Sequence, residues 1–153
     1  MWLRGVRTGS RSARRPIPHW LGDETDALRQ LKVATIIARV LLGLLFVFTG
    51  SNAFLNFMPM PPMSGHAGDF IGAMHATGYL YPIGALQVIG GALLVIGRYV
   101  PLGLTLLGPI IVNIALYHLF MDRSGLLMVV IISASSLFLL WRHRDAFAGL
   151  LRP

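Results

Sequence analysis

Six polar residues interrupt the long apolar runs of this 153-residue chain, and they are the first candidates for chemistry. They are Arg39, Asn52, Asn56, Gln87, Asn113 and His118. A polar group is costly to leave unpaired in hydrocarbon. Each of these side chains must therefore bond another protein group, reach the membrane interface or bind a ligand. Amide, phenol and imidazole groups hydrogen-bond carbonyl oxygens, and apolar walls hold an isoprenoid-like tail. We therefore predict a quinone-binding pocket lined by Asn52, Gln87, Asn113, Tyr117 and His118.

Helical spacing supports a common location for these residues. Asn52 and Asn56 share one helix face with Phe48, and Asn113 and Tyr117 share a face of a later helix, because residues four apart lie above one another. The helical rise of about 1.5 Å per residue places most of the amides and the imidazole in the same half of the membrane. The alternative interpretation is that the amides join helix to helix and that His118 lies among lipid headgroups.

Arg39 is the one formal charge in the first apolar run. Its side chain can be interpreted in two ways: it snorkels to the inner membrane boundary, or it is a cation that contacts an anion or a partner subunit. The apolar runs contain no Asp or Glu, which argues against a proton-coupled antiporter that exchanges its cargo at an intramembrane carboxylate.

The chain contains no cysteine. Disulfides, thiol relays, iron–sulfur clusters and thiolate-held structural zinc are therefore excluded within it, and redox chemistry would need a bound cofactor such as quinone or a partner. His66 and His75 are nine residues apart, which is not a helical ligand pair, so we predict no metal site. Copper binding by the methionines around residues 58–74 is the alternative left open.

The elements that must position these residues follow from hydropathy. The chain is 55% hydrophobic and 12% charged, and its mean hydropathy is +0.68, which is too apolar for a soluble domain. We predict an all-α integral membrane four-helix bundle with spans 33–57, 79–97, 101–120 and 125–141. Small residues would mediate close helix contacts: Gly43 and Gly50, Gly84 and Gly91, and Ser133 and Ser136.

Charge predicts orientation. Seven of the thirteen Lys and Arg residues precede Val33, and Arg98, Arg142 and Arg144 flank later spans on the same side. Both termini are therefore expected in the cytoplasm, with a basic leader at 1–32 and a basic tail at 142–153. The net charge of +7 then favours anionic lipid and not nucleic acid as a partner. We expect the leader to be unstructured, or to carry an amphipathic segment at 26–32, and a short interfacial helix near 70–75 in the outer loop 58–78.

With the spans placed, the stretches ARVLLGLLFVFTGSNAFLNF (38–57) and ATGYLYPIGALQVIGGALLVIGRYVPLGLTLLGPIIVNIALYHLF (76–120) resemble the DoxX family of small membrane proteins. The resemblance covers about residues 34–141. It implies a four-helix protein of the bacterial inner membrane, related to the membrane subunit of thiosulfate:quinone oxidoreductase. Many relatives have an acidic residue where this chain has Gln87, so a proton-carrying role does not transfer to that position.

Two functions follow as hypotheses. The first is a quinone-contacting subunit or accessory of a membrane oxidoreductase, which would need a redox partner because the chain has no electron carrier of its own. The second is a non-catalytic scaffold whose basic leader recruits a cytoplasmic partner or anionic lipid. Oligomeric state and electron donor are not specified by the sequence.

Overall fold

The computed structural model describes residues 19–59 and 63–148, with side chains from Glu24 onward. All regular structure in these ranges is helical, as predicted. The chain divides into two compact units, 1–32 and 33–153, which are described separately. The helices are α1 (His19–Leu55), α2 (Gly65–Ala76), α3 (Leu80–Ile96), α4 (Val100–Phe120), α5 (Leu126–Arg142) and α6 (Arg144–Phe147), with a 3-10 turn at Arg123–Gly125 before α5.

In the first unit, helix α1 already begins at His19. The prediction of an unstructured leader is therefore wrong for residues 19–32, where Ala27 to Lys32 form a run of strong helix formers. Leu28 and Leu31 of this run are exposed. Residues 1–18 of the leader and 149–153 of the tail lie outside the described residues.

In the part of the chain that the structure describes, three helical segments are long and apolar enough to cross a membrane: Glu24–Leu55, Val100–Phe120 and Arg123–Arg142. A fourth crossing is available if α2 and α3, which meet at an angle of 87°, count as one broken span. Helices α3, α4 and α5 coincide with the predicted second, third and fourth spans. Each begins and ends within about one residue of the expected position. The predicted interfacial helix near 70–75 is present as the longer α2.

In the second unit, large apolar side chains cover much of the surface. Phe120 and Leu127 are 76% and 75% exposed, whereas Phe46 and Leu107 are fully buried. Among the described residues no polar or charged residue is classed as buried. An exterior this apolar is consistent with a multi-pass membrane protein.

Glycines set the contact between α1 and α3. A Cβ on Gly43 would lie 2.7 Å from the Gly91 carbonyl oxygen, and a Cβ on Gly50 would lie 2.7 Å from the Gly84 carbonyl oxygen. The pairs run in opposite directions along the two helices, so the helices are antiparallel. The prediction that these four glycines mediate helix contact is confirmed. Helix α4 approaches the other side of α3 in the same way, with Gly103 against the Gly90 carbonyl oxygen.

Candidate functional site: a cavity beneath helix α2

A cavity of about 740 Å³ lies between α2, α3 and α4. Its apolar wall includes Phe70, Ile71 and Met74 of α2, and Pro109 of α4. Four of the five residues that the sequence predicted for a pocket also line it: Gln87, Asn113, Tyr117 and His118. Helix α3 contributes the first of these side chains, and one stretch of α4 contributes the other three.

The amides of Gln87 and Asn113 are free polar groups of the cavity. Neither side chain has a hydrogen-bond partner within the described part of the chain. Gln87 is half-buried on α3, and Asn113 is exposed on α4. Each amide can therefore donate to a ligand that enters between these two helices.

Tyr117 lines the cavity and contacts the segment around α2. Its hydroxyl donates a hydrogen bond to the Met63 Sδ atom at 3.2 Å. Its ring centroid also lies 5.9 Å from that of Phe70. Met63 and Phe70 were not among the predicted site residues. Both lie in the outer loop predicted at 58–78, the methionine-rich loop, and Phe70 also lies in the interfacial helix predicted within it.

His118 lines the cavity but is also fixed to the turn after α4. Its Nδ1 atom lies 2.8 Å from the Asp122 carbonyl oxygen. A carbonyl has no proton to give, so Nδ1 must donate, which leaves Nε2 as the acceptor of the neutral ring. The ring covers Gly125, where a side chain would overlap it. His118 thus has a structural contact whether or not it meets a ligand.

The same turn carries Asp122, outside the apolar helices. Its carboxylate accepts hydrogen bonds from the Ser124 backbone N–H at 3.0 Å and from the Ser124 hydroxyl at 2.8 Å. These bonds, the backbone one foremost, lower the pKa of Asp122 because they stabilise its charged form. Asp122 is therefore a carboxylate at neutral pH, close to the His118 end of the cavity.

Asn52 is the one predicted pocket residue that does not line the larger cavity. Its Nδ2 donates to the Met58 carbonyl oxygen at 3.2 Å, and its Oδ1 accepts from the Met58 N–H at 2.8 Å. The side chain therefore closes the chain reversal after α1. It lines a second, smaller cavity of about 200 Å³, whose wall also includes His75 and Gln87.

Arg39 lies at the other end of α3. Gly97 is the C-cap residue of α3. A Cβ on Gly97 would overlap the Arg39 guanidinium. The Nε atom of Arg39 is buried and has no hydrogen-bond partner among the described residues. The structure thus places the arginine against the end of a neighbouring helix and apart from the cavity residues.

A histidine and an aspartate of the methionine-rich loop lie near each other on α2. His66 Nδ1 and Asp69 Oδ2 are 4.0 Å apart, and both side chains are exposed. Within the described ranges, no group of three or more His, Cys, Asp or Glu residues has the arrangement of a metal site. Met60, one of the methionines considered for copper binding, lies outside the described residues.

No family model, no curated protein and no solved structure matches this chain.

Proposed function

We propose that this chain is a DoxX-like, four-span protein of the bacterial inner membrane that binds a quinone head as a subunit or accessory of an oxidoreductase system. The observation that carries the proposal is the cavity of about 740 Å³ beneath α2. It brings the two unpartnered amides, Gln87 and Asn113, together with the Tyr117 hydroxyl inside apolar walls. That combination suits a planar, apolar molecule with carbonyl oxygens.

The geometry of α2 and α3 supports a four-span arrangement. Helix α3 has 17 residues, which gives a length of about 25 Å, at the short end of what crosses a bilayer. If α3 crosses, α2 lies along the membrane surface because the two helices meet at 87°. The cavity would then lie just below the headgroups, and the exposed side chains of Leu86 and Asn113 would face lipid at its mouth. A quinone could enter sideways from the hydrocarbon.

The chain's own contribution to such a reaction is binding and orientation. Reduction of a quinone to a quinol consumes two electrons and two protons, and the described residues include no electron carrier. The electrons would come from a partner subunit or a diffusible donor. Gln87 can donate a hydrogen bond to a quinone oxygen but cannot supply the proton, since an amide does not titrate near neutral pH.

Equilibrium binding of a short-chain benzoquinone to the purified protein in nanodiscs tests this proposal. Gln87→Leu and Asn113→Leu should each weaken binding by about two- to tenfold, because each removes one hydrogen bond to the ligand. Thr105→Val is the matched control, because Thr105 is exposed on α4, bonds only the Pro101 carbonyl oxygen and lies outside the cavity.

Two results would contradict the proposal: no binding by the unaltered protein, or equal affinity in all three variants. In the first case, recovery of a cytoplasmic protein that depends on residues 1–32 would favour the scaffold function.

A further inference from the structure

We propose that α2 is a lid over the cavity and that the Tyr117–Met63 hydrogen bond is its latch, which a ligand carbonyl releases. This inference rests on the proposed function for the identity of the ligand. In it, the Met63 thioether and a carbonyl of the ligand compete for the Tyr117 hydroxyl proton.

Helix α2 has the form of a lid. Phe70, Ile71 and Met74 line the cavity, whereas the opposite face, including Asp69 and Gly72, is exposed. A Cβ on Gly72 would meet nothing within 4 Å, so no described residue covers that face. The helix is thus packed on one side only.

Both ends of α2 have a backbone suited to pivoting. Gly65 at its start has φ of +65°, and Gly78 after its end has φ of +72°. Glycine takes this left-handed conformation without the steric cost that other residues bear. A Cβ on Gly65 would meet nothing within 4 Å, and one on Gly78 would meet only the Tyr81 ring at ordinary contact distance. Neither glycine position is itself enclosed by neighbouring side chains.

The latch joins the segment before α2 to α4. The Tyr117 hydroxyl has one proton and gives it to Met63 Sδ at 3.2 Å. A thioether sulfur is a weak acceptor, and a quinone carbonyl oxygen is a stronger one. Because one proton serves one strong bond, a ligand that reaches Tyr117 takes the bond from Met63 and frees the start of the lid.

This competition predicts opposite effects for the two partners. Tyr117→Phe should weaken benzoquinone binding by about two- to tenfold, since the ligand loses a hydrogen bond while the ring contact with Phe70 is kept. Met63→Leu should strengthen binding by a similar factor, because the side-chain volume is retained and the competing acceptor is removed. In the Tyr117→Phe background, Met63→Leu should have no further effect. Met58→Leu is the control, as Met58 is an exposed methionine of the same loop that does not line the cavity.

The lid movement can be measured directly because the chain has no native cysteine. Gly72 on α2 and Gly108 on α4 each have room for a side chain, so the Gly72→Cys/Gly108→Cys protein can carry two spin labels. Pulsed electron–electron double resonance should give a narrow distribution of distances between the two labels when no ligand is present. Saturating benzoquinone should broaden or shift it, and Tyr117→Phe should broaden it without any ligand.

The outcomes separate the two proposals. If benzoquinone binds but Met63→Leu has the same affinity as the unaltered protein, or the spin-label distances do not respond, the latch is overturned and the proposed function stands. If nothing binds, the proposed function and the ligand-driven release fail together. Broadening by Tyr117→Phe would then still support a latch, and its absence would overturn the latch as well.

Discussion

At the residue scale, Arg39 illustrates how one charge is accommodated in an apolar helix. Its guanidinium lies against Gly97, the left-handed residue that ends α3. The carbonyl end of a helix carries partial negative charge, so a cation at this position is favourable. The sequence predicted the depth of Arg39 near one membrane boundary, because the helical rise sets that. It could not predict the contact with Gly97, since that depends on how α1 and α3 are registered.

Gly97→Ala should destabilise the protein for two reasons. The φ of +77° at Gly97 costs a residue with a side chain roughly 1 kcal/mol, and the new methyl group would overlap the Arg39 guanidinium. Thermal unfolding in detergent should show a lower midpoint for Gly97→Ala than for Gly65→Ala, which has a similar φ but open space around it. The difference should shrink in an Arg39→Ala background. Equal midpoints for the two glycine variants would show that Arg39 does not occupy the space beside Gly97.

At the element scale, glycine spacing decides how closely α1 and α3 approach. Gly43 and Gly50 are seven residues apart on α1, as are Gly84 and Gly91 on α3, and seven residues are nearly two helical turns. Each pair therefore keeps to one face of its helix. In a bilayer no hydrophobic effect drives helices together, so this close backbone contact supplies much of their attraction. The spacing alone was enough to predict the contact faces, since it repeats on both helices.

Gly43→Ala should separate α1 from α3, because its Cβ would lie 2.7 Å from the Gly91 carbonyl oxygen and 2.8 Å from a Val95 methyl. We expect a lower unfolding midpoint in detergent and a loss of about 1–3 kcal/mol, as for overpacked cores. Gly108→Ala is the matched control: it lies in a helix with nothing within 4 Å of the added methyl. It should be neutral or slightly stabilising, since alanine favours helix. A similar response to both substitutions would contradict close packing at Gly43.

At the scale of the whole molecule, the length of the apolar runs made the helices predictable. The contacts at the chain reversals between them could not be predicted in this way. The helices at the second, third and fourth predicted spans lie close to their expected bounds because a run of about twenty apolar residues has few other solutions. Helix α1, in contrast, begins at His19, well before the expected start at 33. Depth along the helix axis also placed Gln87, Asn113, Tyr117 and His118 around one cavity. Asn52 shares their depth but bonds Met58, a local closure that periodicity does not reveal. Met63 was missed because its contact with Tyr117 spans 54 residues of sequence.

The aromatic and basic residues near the end of α5 are typical of a membrane boundary. Trp141 is exposed, and the Arg144 Cζ atom lies 5.5 Å from its ring centroid. A tryptophan paired with a cation is typical of the headgroup region. The basic residues at both ends of the chain and at Arg98 predict that this boundary faces the cytoplasm, and that Ser64, just before α2, faces the opposite side.

Single-cysteine labelling tests this topology without background, because the chain has no cysteine. In intact spheroplasts a membrane-impermeant maleimide should label Ser64→Cys and should not label Arg142→Cys or Arg98→Cys. All three residues are exposed, so each should react after permeabilisation, which controls for accessibility. Because Ser64 and Arg98 flank the α2–α3 pair, this pattern also requires that pair to provide the fourth crossing. Labelling of Ser64→Cys and Arg142→Cys from the same side would leave three crossings and would place the cavity beneath α2 away from the outer leaflet.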